Sequence, residues 1–246
     1  MTDIAINIVQ KCYPASGRAS QHIAIANLTF TVQQGEFICL VGPSGCGKTT
    51  LLNIIADLDH AYDGEIRLDS TQTLHPKIGY VFQNPRLLPW RTVRENIELV
   101  LDAKTPANSI DDLLESMQLL SIQHRYPERL SLGMSRRVAI IRAFAVNPDL
   151  LLMDEPIVSI DAPTARQIRS LLIKLWQQRT HSVLFVTHDL REAIALADRL
   201  IFLSAPPMQV VREINVNLPR EDRDERQVEL FRQQLINNYP DIQKLL

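Results

Sequence analysis

The N-terminal part of the chain alternates between apolar and polar positions. Residues 4–8 and 28–32 both place an apolar side chain at every second position. A period of two is typical of strands that bury one face. We therefore predict half-buried, antiparallel strands in this part of the chain.

Later apolar segments are continuous rather than alternating. The runs are 37–41, 78–82, 150–153, 183–186 and 200–203. Strands covered on both faces have this pattern. Between runs, Ile168, Leu171, Leu172 and Leu175 repeat with helical spacing after Asp161. Strands that alternate with helices predict an α/β fold with a mixed or parallel sheet flanked by helices.

Strand signals stop between residues 84 and 145, where helical ones replace them. We predict a helical subdomain over 84–145, inserted into a core formed by 1–83 and 146–220. Residues 1–220 thus form one domain with an N-terminal antiparallel β subdomain. Residues 221–246 are predicted to be a C-terminal helical tail.

Composition narrows the functional classes. The 246 residues carry 26 basic and 28 acidic side chains, a net charge of −2, which gives no basic field for nucleic acid. The three cysteines lack paired or metal-type spacing, which excludes a disulfide scaffold. No apolar stretch approaches the roughly 20 residues of a membrane span, and the N terminus lacks a secretory signal, so we expect a cytoplasmic protein.

One motif points to phosphate binding. Residues 42–49 fit G-x-x-x-x-G-K-[ST], after a predicted strand and before the helical pattern of residues 51–55. Backbone N–H groups of such a loop surround phosphate oxygens, the lysine pairs with the β- and γ-phosphates, and the hydroxyl ligates Mg²⁺. The candidate nucleotide-binding residues are Gly42, Pro43, Ser44, Gly45, Cys46, Gly47, Lys48, Thr49 and Thr50.

A second motif is the acidic pair Asp154 and Glu155 at the end of the run 150–153. Asp154 is the candidate Mg²⁺ ligand, and Glu155 is the candidate base for an attacking water. An ordinary strand end with solvent-facing acids would show the same pair.

With these motifs in order, residues 4–220 resemble the ATP-binding subunit of ABC transporters. Gln83 resembles its Q-loop glutamine, and His188 resembles its switch histidine. Residues 130–134, Leu-Ser-Leu-Gly-Met, occupy the place of the LSGGQ signature, and 158–161 that of the D-loop. The resemblance implies a P-loop NTPase core with a helical insertion, an ABC ATPase cassette.

The resemblance also implies roles for single residues. Tyr13, which we predict to lie in a loop, would stack on adenine, Gln83 would contact Mg²⁺ or the attacking water, and His188 would donate to the γ-phosphate. Ser131 and Gly133 would complete the site of a second ATPase subunit, so hydrolysis would require a dimer. A plain loop tyrosine, a locally satisfied amide and a structural histidine remain the alternatives for Tyr13, Gln83 and His188.

The chain departs from the family pattern at the predicted dimer seam. Leu132 stands where the family has glycine, and Val158, Ser159 and Ile160 replace the usual Ser-Ala-Leu. A branched side chain in a close contact costs about 1–3 kcal/mol. The sequence therefore leaves two alternatives: an active ATPase, as a homodimer or heterodimer, or an ATP-binding regulatory subunit with low activity.

The segment 87–93, with Asn96, resembles the nitrate, sulfonate and taurine importer branch. Importers of riboflavin, pyrimidine or bicarbonate type share much of the same motif set and remain alternatives. Membership there implies an ATP- and Mg²⁺-dependent ATPase, peripheral on the inner face of the membrane, that serves integral permease subunits. An extracytoplasmic binding protein would deliver the solute, so this subunit would meet it only indirectly. A soluble ABC ATPase of DNA repair or translation and a nucleotide kinase are the less favoured classes.

Other polar residues receive ordinary interpretations. Arg136, Arg137 and Arg142 are interpreted as a solvated or interface face of a helix rather than a nucleic-acid patch. The remaining histidines have no metal-type spacing and are predicted to lie at the surface. They are His22, His60, His75, His124 and His181.

Overall fold

The computed structural model describes residues 3–15, 20–68, 76–101, 108–178 and 181–245. Its contacts divide the chain into two units. Unit one comprises residues 1–74 and 182–246, and unit two comprises residues 75–181. His75, predicted at the surface, lies outside the described residues.

The helices and strands follow one another along the chain in this order: β1 (Ile4–Tyr13), β2 (His22–Val32), β3 (Phe37–Val41), α1 (Lys48–Ile55), β4 (Asp63–Leu68), β5 (Ile78–Val81), α2 (Val93–Glu98), α3 (Asn108–Ser116), α4 (Leu132–Ala145), β6 (Leu150–Asp154), α5 (Ala162–Gln177), β7 (Ser182–Thr187), α6 (Leu190–Leu196), β8 (Arg199–Leu203), β9 (Val210–Asn215), α7 (Glu225–Asn238) and α8 (Pro240–Gln243).

An antiparallel sheet in the order β2-β1-β4 forms one part of unit one. The apolar positions of residues 4–8 and 28–32 face the interior, while most intervening side chains are exposed. This confirms the predicted half-buried strands. β4 was not predicted, because its sequence Asp-Gly-Glu-Ile-Arg-Leu carries little apolar signal.

The other sheet strands of unit one centre on β3. β3 pairs in parallel with β7 and with β8, and β9 adds to β8 in the antiparallel direction. Every residue of β3 and β7 is buried, as continuous apolar runs predict. Val41 lies opposite Thr187 in the register, so the segments after these strands leave the sheet at the same edge.

Unit two combines the parallel pair β5 and β6 with helices. α4 is its central helix and packs against β5, α2, α3 and α5. Helices α2, α3 and α4, with two short 3₁₀ turns, account for the regular structure described between residues 84 and 145.

The prediction for His181 was wrong. Its side chain is buried, with its ring edge against Phe144 at 5.0 Å between centroids. The Trp176 indole N–H donates to the His181 carbonyl at 2.9 Å. An imidazole can pack in a core when aromatic neighbours cover it, and the isolated sequence position gives no sign of them.

Asn96 fixes the loop that precedes α2. The side chain is fully buried, its Oδ1 accepts from the Leu88 N–H at 2.8 Å, and its Nδ2 donates to the carbonyls of Leu88, Arg91 and Thr92. Thr92 caps α2 and forms a capping box with Glu95. One amide therefore satisfies several backbone groups of a loop that has no regular structure.

We expect Asn96→Ala to lower the free energy of unfolding by about 1–3 kcal/mol, because it leaves buried backbone groups without their partner. Urea denaturation would measure the change. Gln177→Ala, at an exposed position near the end of α5, is the matched amide control and should stay within about 0.5 kcal/mol of the parent. Equal stability of the two variants would contradict this role of Asn96.

Candidate functional site

The glycine-rich loop joins β3 to α1. Gly47, the residue before α1, has φ 112°, and Gly45 has φ 76°. Both values lie in the left-handed region, which side chains with a β-carbon rarely adopt. The two glycines let the chain turn from the buried end of β3 directly into the helix. The N terminus of α1 thereby faces the interior of the loop.

Lys48 closes the loop from inside. The side chain is 6% exposed, and its Nζ donates to the carbonyls of Gly42 at 2.7 Å and Pro43 at 2.9 Å. The first turn of α1 carries no acidic residue. A buried ammonium beside a helix N terminus, without a nearby acid in that turn, suits an anionic ligand such as a nucleotide phosphate.

Cys46 lies in the same loop and is buried. Its Sγ is 3.8 Å from Lys48 Nζ and 3.8 Å from Met208 Sδ. Burial raises the pKa of the Cys46 thiol, although the nearby Lys48 ammonium opposes this shift. The protonated thiol therefore acts as a small packing group.

Tyr13 is the last residue of β1, so its predicted loop position was wrong. The strand continues past a register shift between Lys11 and Cys12, and Tyr13 pairs with His22. The Tyr13 hydroxyl lies 3.0 Å from Thr50 Oγ1, and its ring stacks on that of His22 at 5.3 Å. An aromatic ring is thus held beside the first turn of the helix that follows the phosphate loop.

His188 directly follows β7 and is exposed. Since Val41 and Thr187 are partners in the β3–β7 register, His188 and Gly42 follow the same end of neighbouring strands. The Thr187 hydroxyl donates to buried Glu192 at 2.7 Å and accepts from the Asp189 N–H at 3.0 Å. The Asp189 side chain then caps α6 by accepting from the Arg191 N–H at 2.8 Å.

In unit two, Gln83 and Glu155 come together. Val81 and Met153 are partners in the parallel β5–β6 register, so the segments after both strands leave at one edge. Gln83 Nε2 donates to Glu155 Oε2 at 3.3 Å. Glu155 itself has φ 45°, a left-handed conformation that turns the chain sharply after the strand.

Asp154 ends β6 and is 3% exposed. Its charge acts on Tyr80 of β5: burial, and to a smaller extent the Asp154 carboxylate, raise the pKa of the Tyr80 phenol well above its ordinary value. Tyr80 therefore stays protonated beside the carboxylate. The two adjacent acids thus occupy different surroundings, one buried and one bonded to Gln83, as different roles require.

Ser131 and Gly133 begin α4. Ser131 is exposed and caps the helix, its Oγ accepting from the Met134 N–H at 3.2 Å. Leu132 is 46% exposed. Gly133 is buried, and a β-carbon there would lie 2.8 Å from Thr164 Cγ2, closer than real contacts allow.

The prediction for the arginines of α4 was wrong for Arg136 and Arg137, which are buried. Arg136 donates to the carbonyls of Glu155 at 3.1 Å and Val158 at 3.3 Å, and Arg137 donates to that of Met117 at 3.1 Å. Burial lowers the pKa of both guanidinium groups. Arg136 thereby holds the turn that contains Glu155. In the sequence, the only sign that Arg136 is buried is the apolar pair Val138 and Ala139 that follows it.

The predicted residues thus fall into two groups. Unit one holds Tyr13, residues 42–50 and His188, and unit two holds Gln83, Ser131, Gly133, Asp154 and Glu155. In the described part of the chain, no cluster of three or more His, Cys, Asp or Glu residues forms a metal site of its own. Mg²⁺ bound through nucleotide phosphates needs only one or two protein ligands, and oxygen donors of the kind it prefers are present in each unit: the Thr49 hydroxyl in unit one, and the Gln83 amide and Asp154 carboxylate in unit two.

Comparison with known proteins identifies the family that the sequence resembles. The family model described as "ABC transporter" matches residues 25–158. The chain is 40% identical over 220 residues to the aliphatic sulfonates import ATP-binding protein SsuB of Bacillus cereus (strain ATCC 10987), covering 88% of this chain and 87% of that protein. It is also 40% identical to the nitrate import ATP-binding protein NrtD of Synechococcus elongatus, covering 81% of this chain and 77% of that protein.

Among solved structures, a dimeric bacterial ABC transporter cassette matches with a TM-score of 0.76 and 33% identity, covering 87% of this chain and 99% of that one. A post-hydrolysis dimer bound to ADP and Pi matches with a TM-score of 0.73 and 32% identity, covering 87% and 99%. These matches confirm the predicted ABC ATPase cassette fold. The chain belongs to the ABC transporter family, as one of its transport ATPases.

Proposed function

We propose that the protein is the ATP-hydrolysing subunit of an ABC importer for a small oxyanion such as a sulfonate or nitrate. The observation that carries hydrolysis is the Gln83–Glu155 contact of 3.3 Å beside buried Asp154. A phosphate loop alone binds nucleotide, whereas hydrolysis also needs a base for water. The SsuB and NrtD relatives support the solute class.

The proposed chemistry is attack of water on the γ-phosphorus of ATP. Glu155 takes the proton of the water, the bond from the γ-phosphorus to the ADP oxygen breaks, and ADP and phosphate result. Lys48 neutralises charge on the β- and γ-phosphates, and His188 donates a hydrogen bond to the γ-phosphate. Mg²⁺ held by Thr49, Gln83 and Asp154 would add charge neutralisation on the phosphates. Tyr13 supplies an aromatic ring for contact with adenine.

Two copies of the subunit would close on two nucleotides, each contributing Ser131 and Gly133 to the other. The dimeric cassettes among the similar structures support this assembly. Closing and reopening would drive a separate integral permease from the inner face of the membrane, with an extracytoplasmic protein delivering the solute. None of the helices among the described residues combines the length and the apolar character that crossing a bilayer requires.

A regulatory subunit with low ATPase activity is the second candidate. The observation that favours it is Leu132, whose apolar side chain is 46% exposed beside Ser131. On a face that meets the partner's phosphates, such a side chain would hinder close approach.

The solute is tested by reconstitution. The protein would be combined with candidate permeases of sulfonate and nitrate systems in vesicles, with MgATP on the side of the ATPase. Uptake of labelled alkanesulfonate or nitrate that depends on both ATP and this subunit is the expected result. ATPase activity without uptake of either anion would contradict the solute class and leave the ATPase assignment intact.

We expect Glu155→Gln to lower kcat for ATP by about 10²- to 10⁴-fold, because the amide cannot accept the proton. Binding of MgATP and nucleotide-driven dimerisation should remain, which calorimetry and size-exclusion chromatography would check. Glu128→Gln, at an exposed position on a 3₁₀ turn, is the control and should keep parental turnover. Parental turnover in Glu155→Gln would refute the role of Glu155 as base.

If Leu132 hinders closure, Leu132→Gly should raise MgATP-dependent dimerisation by about 5- to 150-fold, with a matching gain in ATPase rate at low protein concentration. Leu99→Gly is the control, because Leu99 is another exposed leucine at the end of a helix and is not among the residues assigned to the nucleotide site. Unchanged dimerisation would remove the second candidate.

A further inference from the structure

Helix α6, which follows His188, is too short to be stable without contacts to the rest of the protein. α6 has seven residues, and isolated helices shorter than about 12 residues are marginal in water. His188 lies in the two-residue segment between the end of β7 and the start of α6, so the placement of α6 constrains the backbone of His188 from one side. The contacts that fix α6 therefore also constrain the segment that carries His188.

The C-terminal end of α6 is held by Arg223, which follows the last strand, β9, in the chain. Arg223 Nη1 donates to the carbonyls of Ile194 at 3.2 Å and Ala197 at 2.8 Å, while its Nε donates to that of Leu218 at 2.9 Å. Burial, and then the nearby charge of Arg220, lower the pKa of Arg223 to about 10, so it remains charged at neutral pH. The last carbonyls of a helix have no partner within the helix, and a cation there is also favoured by the helix dipole.

A second arginine strengthens the same end. Arg220 donates to the Leu196 carbonyl and, through Nη2, to Asp198 Oδ1 at 2.6 Å. Asp198 in turn accepts from the Phe37 N–H at the start of β3, through Oδ2 at 2.9 Å. The end of α6 is thus connected through side chains to the strand that leads into the phosphate loop.

Helix α7 holds α6 along its side. The two helices pack together, and Arg191 Nε of α6 donates to Glu229 Oε2 of α7 at 2.7 Å. Glu229 also accepts from Arg232 of its own helix at 2.7 Å. The Arg232 and Arg191 bonds hold the pKa of Glu229 at about 2, so this carboxylate stays ionised at working pH.

We propose that residues 220–229 are a positioning element for His188, acting through Arg220, Arg223 and Glu229 on α6. The inference rests on the proposed function, in which His188 donates to the γ-phosphate. None of these three residues touches nucleotide in that scheme. They set the rate of hydrolysis by holding the helix from which His188 is oriented.

The principal test is Arg223→Met measured as kcat against KM. We expect kcat to fall by about 2- to 30-fold with KM for ATP within about twofold of the parent, because binding depends on the phosphate loop and turnover on His188. Arg223→Lys keeps the charge and one donor group and should recover part of kcat. Equal falls in kcat for Arg223→Met and Arg223→Lys, accompanied by a matching rise in KM for ATP, would overturn the proposal.

A double-mutant cycle with His188→Ala separates the inference from the proposed function. If Arg223 acts through His188, Arg223→Met has no further effect on kcat in the His188→Ala background. If His188→Ala lowers kcat and Arg223→Met lowers it by the same additional factor in both backgrounds, the positioning role is overturned and the role of His188 stands. Parental kcat in His188→Ala overturns both.

The salt bridge between Arg191 and Glu229 supplies a second, milder test, which can be used even if Arg223→Met does not fold. Arg191→Met removes the bond between α6 and α7, whereas Arg232→Met removes only the bond within α7. We expect about a two- to fivefold lower kcat for Arg191→Met and parental kcat for Arg232→Met, with urea unfolding to confirm that both are folded. Equal kcat values in the two folded variants would overturn the proposal.

Discussion

The phosphate loop depends on the interaction of the buried Lys48 ammonium with two backbone carbonyls, those of Gly42 and Pro43. A buried charge without hydrogen-bond partners is strongly unfavourable, so the loop must fold around the lysine. The same ammonium is the group that a phosphate would engage. The loop is therefore folded around a positive charge. Because the carbonyls that bind this charge are neutral, an anion is needed to balance it.

Arginine side chains that donate to backbone carbonyls recur in both units. Arg136 holds the turn of Glu155 in unit two, and Arg223 holds the end of α6 in unit one. In each case a planar, permanently charged group satisfies carbonyls where regular structure ends, which a lysine with one donor group would do less completely. Turns that carry proposed chemistry are thus fixed by side chains outside the motifs themselves.

Much of the fold could be predicted from sequence, because buried strands and amphipathic helices leave periodic patterns. The runs at β3, β6 and β7 are confirmed for this reason.

Tyr13 was wrongly placed in a loop because the register shift after Lys11 interrupts the two-residue period. β9 was missed because its burial alternates only between half-buried and exposed. The motif residues of the candidate site could be proposed from their spacing alone, and their roles stay predictions. The burial of Arg136, Arg137 and His181 could not, because it depends on acceptors and aromatic rings from distant parts of the chain.

The approach of Gly133 to Thr164 has a consequence for how this family member can change over time. A β-carbon at position 133 would lie only 2.8 Å from the threonine methyl group, so helices α4 and α5 share a volume that only one side chain can fill. Substitutions at these two positions must therefore be correlated. The space between the helices admits a larger residue at position 133 only when the residue at position 164 lacks the methyl group.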